Sequence, residues 1–328
     1  MHIIQNRWYA VLSSRELGAR RPIARRRFGL ELVFWRDEDG RVAAAHDSCP
    51  HRRAKLSPGR VRDGCIECPF HGFTFDREGA CRSIPAHPER KIPKAMALEM
   101  LPTREAHDLI WLWTGPAPAP APEEPIPFFD LEGYSYAGSA FTERVSTHYT
   151  RGIENQLDFA HLPFVHRTTI GLLAGREFDV KTEVDGDRIH ASIGNGVTIE
   201  FLGPNVWRNK TGAQWQFLAF VPIDKDHMRY YVRTYQRLIT LPGLAWIIGR
   251  ANRALNSVIL SQDTPVVETQ PADETRLRAD EILVPSDGPI IAYRRWRERH
   301  RGELASSAPR LTPLRAQPSA QVLSKSAV

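Results

Sequence analysis

Cysteine is scarce, long apolar runs are missing and no glycine-rich nucleotide loop is visible, and each shortage excludes a class of protein. Four cysteines in 328 residues are too few for a disulfide scaffold and fit a reducing compartment. No stretch approaches the roughly eighteen uninterrupted apolar residues of a membrane span. The opening Met1-His2-Ile3-Ile4-Gln5-Asn6-Arg7-Trp8-Tyr9 is not a basic leader followed by an apolar run. A cytoplasmic protein that makes no use of a membrane is expected. No G-x-G-x-x-G opens a helix after a strand, so no nicotinamide or flavin site is expected in this chain. The net charge is +6, densest at Arg20, Arg21, Arg25, Arg26 and Arg27. No nucleic-acid motif accompanies that cluster, so a solvated surface is expected and a nucleic-acid partner is not.

What is present falls into two halves. Leu30 to Trp35 and Arg41 to His46 are strand-like runs either side of Asp37-Glu38-Asp39-Gly40, a hairpin turn. Phe73 to Gly79 reads as a strand and a turn, and Leu109 to Trp113 as an apolar strand. These predict a small all-β domain over residues 1–115. Pro116 to Pro125 alternates proline with alanine before two glutamates, which favours an extended connector, so 116–127 is taken as a linker. Beyond it, alternation around Tyr149, Ile189 to Ile193 and Trp215 to Val221 predicts a second sheet, with helices near 151–162 and 244–268, in a larger domain over 128–304. From 305 to 328 Ser, Ala, Pro and Arg dominate without periodicity, which predicts a disordered tail. The fold class is α+β, an all-β domain followed by an antiparallel sheet flanked by helices.

The chemistry concentrates in Cys49-Pro50-His51 and Cys68-Pro69-Phe70-His71. Two thiolates and two imidazoles in two turn-rich loops make the mixed ligand set of a Rieske [2Fe-2S] centre, with Cys49 and Cys68 on one iron and His51 and His71 on the other. Neutral imidazole in place of thiolate leaves such a cluster less negative and easier to reduce. A zinc site is the alternative, because Cys65 and Cys68 form a Cys-x-x-Cys. It uses Cys65, ignores one histidine and lacks a second pair at ribbon spacing, so Cys65 and Cys81 read as spare thiols. With a redox cluster in view, the basic cluster acquires a second reading as a dock for an acidic electron carrier.

A second centre lies in Asn155-Gln156-Leu157-Asp158-Phe159-Ala160-His161-Leu162-Pro163-Phe164-Val165-His166. On a helix Asn155, Asp158 and His161 share one side at i, i+3 steps. Pro163 is expected to break that helix between the histidines and turn His166 back toward His161. Further on, Leu255, Ile259 and Asp263 repeat at i+4, with Val266 and Val267 continuing, which puts a carboxylate on an apolar stripe. A buried carboxylate meets a cation, a metal or several donors. His161, His166 and Asp263 together would form the facial triad of a mononuclear iron(II) site, while a salt bridge to an arginine is the plainer reading of Asp263.

These two motifs, in this order, resemble the oxygenase (α) component of Rieske non-haem iron oxygenases, from Asn6-Arg7-Trp8-Tyr9 to Ala292-Tyr293-Arg294-Arg295-Trp296. The short chain is similar to the single-subunit branch that includes vanillate O-demethylase, dicamba monooxygenase and the saxitoxin-tailoring oxygenases. The resemblance implies a helix-grip, START-like catalytic domain and assigns Asp263 to the family's carboxylate ligand. It makes Asp158 the bridge from the cluster ligand His71 of one subunit to the iron ligand His161 of the next, and places Asn155 near the iron without making it a ligand. It further implies a homotrimer, O2 as co-substrate, and electrons from a separate NAD(P)H-dependent reductase, with a ferredoxin in some systems. The implied reaction is monooxygenation, by hydroxylation or oxidative demethylation, of an aromatic or polycyclic small molecule. Cis-dihydroxylation is the alternative, and a Rieske electron-transfer module is the non-enzymatic one. Phe201 to Trp207 and Tyr230-Tyr231 are candidates for pocket wall or for sheet core.

Overall fold

The computed structural model describes residues 1–302 apart from 116–122, 124, 132, 137–140, 174, 176, 178, 195, 238–241 and 279. Most of the expected linker and all of the expected tail therefore lie outside the described residues.

The first half is three small antiparallel sheets. Leu30–Arg36 folds back on Val42–His46 through the Asp37–Gly40 turn, with Leu32 opposite His46, and Ile23–Arg27 and Met100–Leu101 complete that sheet. Trp8–Ser13, Leu109–Trp113 and Thr103–Ala106 form a second. The third is a string of short strands, Arg60–Arg62, Cys65–Glu67, Thr74–Phe75 and Cys81–Ser83. Val33, Trp35, Ile66 and Phe75 bury their side chains between the sheets, and Cys49 and Cys68 join the same apolar cluster. The cysteines are thus part of a core, which fixes the loops that carry them.

The second half is an eight-stranded antiparallel sheet. Its order runs Ser135–Tyr136, Met228–Gln236, Gln214–Pro222, Val206–Thr211, Thr198–Leu202, Arg188–Ser192, Lys181–Asp185, and Phe141–Val145 also pairs with Met228–Gln236. In Arg188–Ser192 and Thr198–Leu202 every second residue is buried, the period of a sheet with one face on a core. Phe201, Trp207 and Tyr230 lie in register on one face of the sheet and are buried, while Tyr231, the neighbour of Tyr230 along the strand, is buried on the opposite face. Tyr231 donates its hydroxyl to Glu16 across 2.6 Å and accepts from Arg27, which ties the sheet to the first half. Asn205, wholly buried, does the same. Its carbonyl accepts from Ala10 N–H and its amide donates to the Ala10 and Phe220 carbonyls, so one side chain continues the backbone hydrogen bonding between the two halves.

Among the described residues four α-helices pack on this frame, α1 (Tyr149–Leu157), α2 (Leu162–Val165), α3 (Pro242–Val267) and α4 (Gly288–Gly302). Four expectations are corrected. Tyr149 opens a helix, not a strand. The helix expected to run to 162 stops at Leu157, because Asp158 is extended (φ −89°, ψ 127°) and its carboxylate accepts from Ala160 N–H at 2.7 Å, a local bond that competes with the helical one. Pro163 breaks nothing; it sits in the first turn of α2, where its missing N–H costs no helical bond. On α3 the inward stripe is Asn256, Leu260, Asp263 and Val267, with Leu255 and Val266 exposed. The shift follows from Asn256, which accepts from Gln216 and donates to Thr234 on the sheet. Among the described residues no helix is long and apolar enough to cross a membrane.

At the far end of the sheet, α4 buries Tyr293 and Trp296 against Phe201. Trp296 donates to Asp187 at 2.9 Å and His300 Nε2 lies 3.2 Å from the same carboxylate. The His300 bond holds Asp187 down to about 2, and the same bond raises His300 above its ordinary value. Both charges favour the folded state together only where both exist. Asp187 contributes above the ordinary carboxylate range and loses its effect as pH falls toward 2. His300 contributes below about 6.5 and loses its effect as pH rises through its raised value. The loss of thermal stability in Asp187→Asn is expected to be largest near pH 4–6 and to shrink in alkali; a difference that does not change from pH 5 to pH 9 would exclude this linkage.

Candidate metal centres

The two Cys/His loops have the same backbone. In the first, Cys49 N–H donates to Ala54 O and Arg53 N–H to Cys49 O; in the second, Cys68 N–H donates to Phe73 O and Gly72 N–H to Cys68 O, all at 2.8–3.0 Å. A proline follows each cysteine and presets φ. The fourth residue after each takes the left-handed conformation, Gly72 at φ +71° and Arg53 at φ +59°. That conformation is free for glycine and costs an L-residue about 1–2 kcal/mol, so the first loop tolerates strain to match the second.

The loops present buried sulfur and exposed nitrogen. Cys49 and Cys68 are each 2 % exposed, while His51 and His71 lie on the surface with ring centroids 4.8 Å apart. His51 stacks on Phe73 and Phe70 covers His71. Burial pushes the Cys49 thiol up to about 11, and the Cys68 thiol beside it pushes the same way. Thiolates at this depth need a cation, so metal binding there expels protons. A tetrahedral zinc brings its donors within about 4 Å of one another. Among the described residues the one set of three or more His, Cys, Asp or Glu donors within 4.8 Å is His161, His166 and Asp263. No three of the loop donors lie that close, which suits a cluster with two ends and not a single zinc. Cys65 and Cys81 are free thiols in the neighbouring strands.

The second centre is assembled from three elements. The Asp158 turn ends α1, His161 caps the start of α2, His166 caps its end, and α3 brings Asp263 across. Asp263 Oδ1 lies 3.5 Å from His161 Nε2 and 3.1 Å from His166 Nε2. Asp263 is 2 % exposed and this oxygen has no aligned hydrogen-bond donor. Among the described residues no arginine pairs with it, so the salt-bridge reading is set aside. A buried, orphaned carboxylate oxygen facing two imidazole nitrogens is the arrangement of groups that share a cation, and the donor set is that of a facial triad. Mononuclear iron(II) fits these residues.

Around the triad, Asp158 Oδ2 lies 3.5 Å from Nδ1 of His161, the ring nitrogen turned away from Asp263. Asn155 sits on the last turn of α1 with its amide nitrogen buried and unpartnered. Two residues escaped sequence reasoning. Gln156 Nε2 approaches the second Asp263 oxygen at 3.5 Å, and Gln262 Oε1 lies 2.9 Å from His166 Nδ1. Their only sequence signal is adjacency to Asn155 and Asp263.

Residues 7–102 match the Rieske [2Fe-2S] domain family, and residues 145–202 and 192–302 match the vanillate O-demethylase oxygenase C-terminal domain family. The vanillate O-demethylase oxygenase subunit of a Pseudomonas sp. (strain HR199 / DSM 7063) is 31% identical over 232 residues, 66% of this chain and 62% of that protein. Chloroplastic flavonoid 8-hydroxylase 2 of Ocimum basilicum is 27% identical over 93% of this chain and 67% of its own. The chain spans about half the length of several curated relatives it matches. Among solved structures, dicamba monooxygenase bound to 3,6-dichlorosalicylic acid superimposes with a TM-score of 0.78 at 22% identity, covering 94% of this chain and 100% of that one. Pseudomonas putida CBB5 NdmA does so with 0.77 at 23%, covering 92% of each. At these identities the structures show the fold alone. With a Rieske [2Fe-2S] domain followed by this oxygenase domain, the chain belongs to the Rieske non-haem iron oxygenases.

Proposed function

We propose that the chain is a terminal oxygenase that monooxygenates an aromatic or polycyclic small molecule, by hydroxylation or oxidative demethylation. The single observation that carries this reading is the pairing in one chain of a surface Cys/His centre with a buried His161/His166/Asp263 centre whose Asp263 Oδ1 has no hydrogen-bond partner among the described residues. Cys49, His51, Cys68 and His71 would hold a [2Fe-2S] cluster, and His161, His166 and Asp263 an iron(II) that, when bound, supplies the activation of O2. The relatives, a vanillate O-demethylase and a flavonoid 8-hydroxylase, favour monooxygenation over cis-dihydroxylation. A separate NAD(P)H-dependent reductase, with or without a ferredoxin, would supply electrons. A cytoplasmic homotrimer is part of the proposal.

The chain's own residues divide the work. The exposed His51 and His71 receive an electron partner, while the buried cysteines keep solvent from the sulfur end. Asp158, held by Ala160 N–H, keeps one carboxylate oxygen beside His161, a contact that orients a metal-bound imidazole. Asn155, on the last turn of α1, would lie beside the iron without ligating it.

The test gives the iron-loaded protein a surrogate reductase, NADH and labelled dioxygen with methoxyarenes, N-methyl compounds and polycyclic aromatics, followed by mass spectrometry. One labelled oxygen in a product, or formaldehyde released with a lost methyl group, is the expected result. A fully metallated protein that consumes no oxygen would leave an electron-transfer module as the better description. In the same assay Asp158→Ala is expected to keep both metals yet lose product by about 10–100-fold; unchanged turnover in that variant removes the role given to Asp158.

A further inference from the structure

The residue before Asp263 contacts a candidate ligand and is itself held by two hydroxyls. Gln262 Oε1 lies 2.9 Å from Nδ1 of His166 and accepts from the Thr169 hydroxyl at 2.8 Å, while its Nε2 donates to the Thr168 hydroxyl at 3.0 Å. His166 itself is 1 % exposed. Its other nitrogen, Nε2, faces Asp263. The ring is therefore held at both nitrogens by two consecutive residues of one helix.

A neutral imidazole carries one proton, and only the nitrogen without it has a lone pair for a metal. We infer that Gln262 is a positioning residue that sets the tautomer of His166. With its oxygen toward the ring, it accepts from Nδ1–H and leaves the Nε2 lone pair aimed at the site. The opposite amide orientation would put an N–H against Nδ1, force the proton onto Nε2 and block the metal. Thr168 and Thr169 meet the amide nitrogen and the amide oxygen separately in the first orientation; since each hydroxyl can donate or accept, they hold the amide in place beside the ring, while the lone pair needed at Nε2 selects its sense. The inference rests on reading His161, His166 and Asp263 as an iron site, and adds what that reading does not contain, the group that makes His166 a competent ligand.

The experiment is an anaerobic titration of Fe(II), in competition with a ferrous chelator, into protein that retains its cluster. Native protein, Gln262→Leu, Gln262→Glu and Thr168→Val are compared, with the cluster's paramagnetic resonance and the thermal midpoint recorded for each. Gln262→Leu fills similar space without an acceptor and is expected to weaken ferrous affinity 10–100-fold with the cluster signal and midpoint unmoved. Gln262→Glu loses the N–H to Thr168 but keeps an oxygen for Nδ1–H, and is expected to restore most of the affinity. Thr168→Val, which frees the amide to turn, should fall between. A Gln262→Leu protein that binds iron as tightly as the native one, or a Gln262→Glu protein as weak as the leucine variant, overturns the inference. If the native protein takes up no iron at this site beyond its cluster, the iron reading itself fails.

Discussion

Asp263→Ala is expected to purify with its cluster intact and one iron fewer, and to form no product. The physical reason lies in charge. Two neutral imidazoles remain in a buried site after the only anionic donor has gone, and nothing among the described residues replaces it. Loss of a hydrogen-bond partner of a metal ligand already costs about 10–100-fold in affinity, so loss of the carboxylate should exceed about 100-fold. The readout need not be turnover. At a ferrous concentration about 100 times its dissociation constant, native protein should gain about 2.7 kcal/mol of stability from binding, and Asp263→Ala should gain none. Equal stabilisation of the two by iron would mean that the metal binds elsewhere.

The second large effect concerns the frame behind the site. Arg294 on α4 makes a two-pronged pair with Glu154 on α1, both bonds 2.7 Å, and reaches Glu281 with the same guanidinium. Arg151, one turn before Glu154, binds the other oxygen of Glu281 at 2.6 Å. Arg294 is 2 % exposed and Glu154 6 %. Burial opposes the charge on Arg294, but Glu154 and Glu281 outweigh it and raise its pKa far above the ordinary value. Such a pair contributes little compared with a well-packed apolar one, but removing one member strands the other. Arg294→Met leaves Glu154 with only Arg151 at 3.7 Å, and is expected to cost about 3 kcal/mol or more. Glu154→Leu combined with Arg294→Met should recover much of that loss. A double variant as unstable as the sum of the two singles would show that the pair is not coupled. Because α1 ends one residue before Asp158, a loosened α1 should also broaden the geometry around His161, visible as weaker iron binding in the single variant.

Which parts of this were legible beforehand follows from what each depends on. The paired turns of the Cys/His loops could be read directly, since Cys and His donors at short spacing with turn-forming prolines are local in sequence. So could the hairpin at Asp37–Gly40, the strands at 109–113 and 215–221, and a helix bearing Asp263, because their periodicity is carried by neighbouring residues. The helix end at Asp158 and the place of Pro163 were misread, because a side-chain bond to Ala160 and the start of a new helix leave no trace in the spacing.

The stripe on α3 was displaced by one residue for a different reason. Leu255 and Ile259 look more like core than Asn256, and only the partners Gln216 and Thr234, waiting on the sheet, make the asparagine the inward residue. Phe201 and Tyr231 could have been pocket or packing until α4 covered the first and Glu16 engaged the second. By itself, the sequence determined the donor types, their grouping into two centres and the strand-then-sheet order, all of which rest on short-range chemistry. The tertiary structure alone decided that Asp263 Oδ1 is left without a donor between His161 and His166, that Gln262 faces the back of His166, and that Asn205 joins the two halves. Those facts depend on segments about a hundred or more residues apart meeting at hydrogen-bond distance, and no local pattern encodes where a distant donor will be missing.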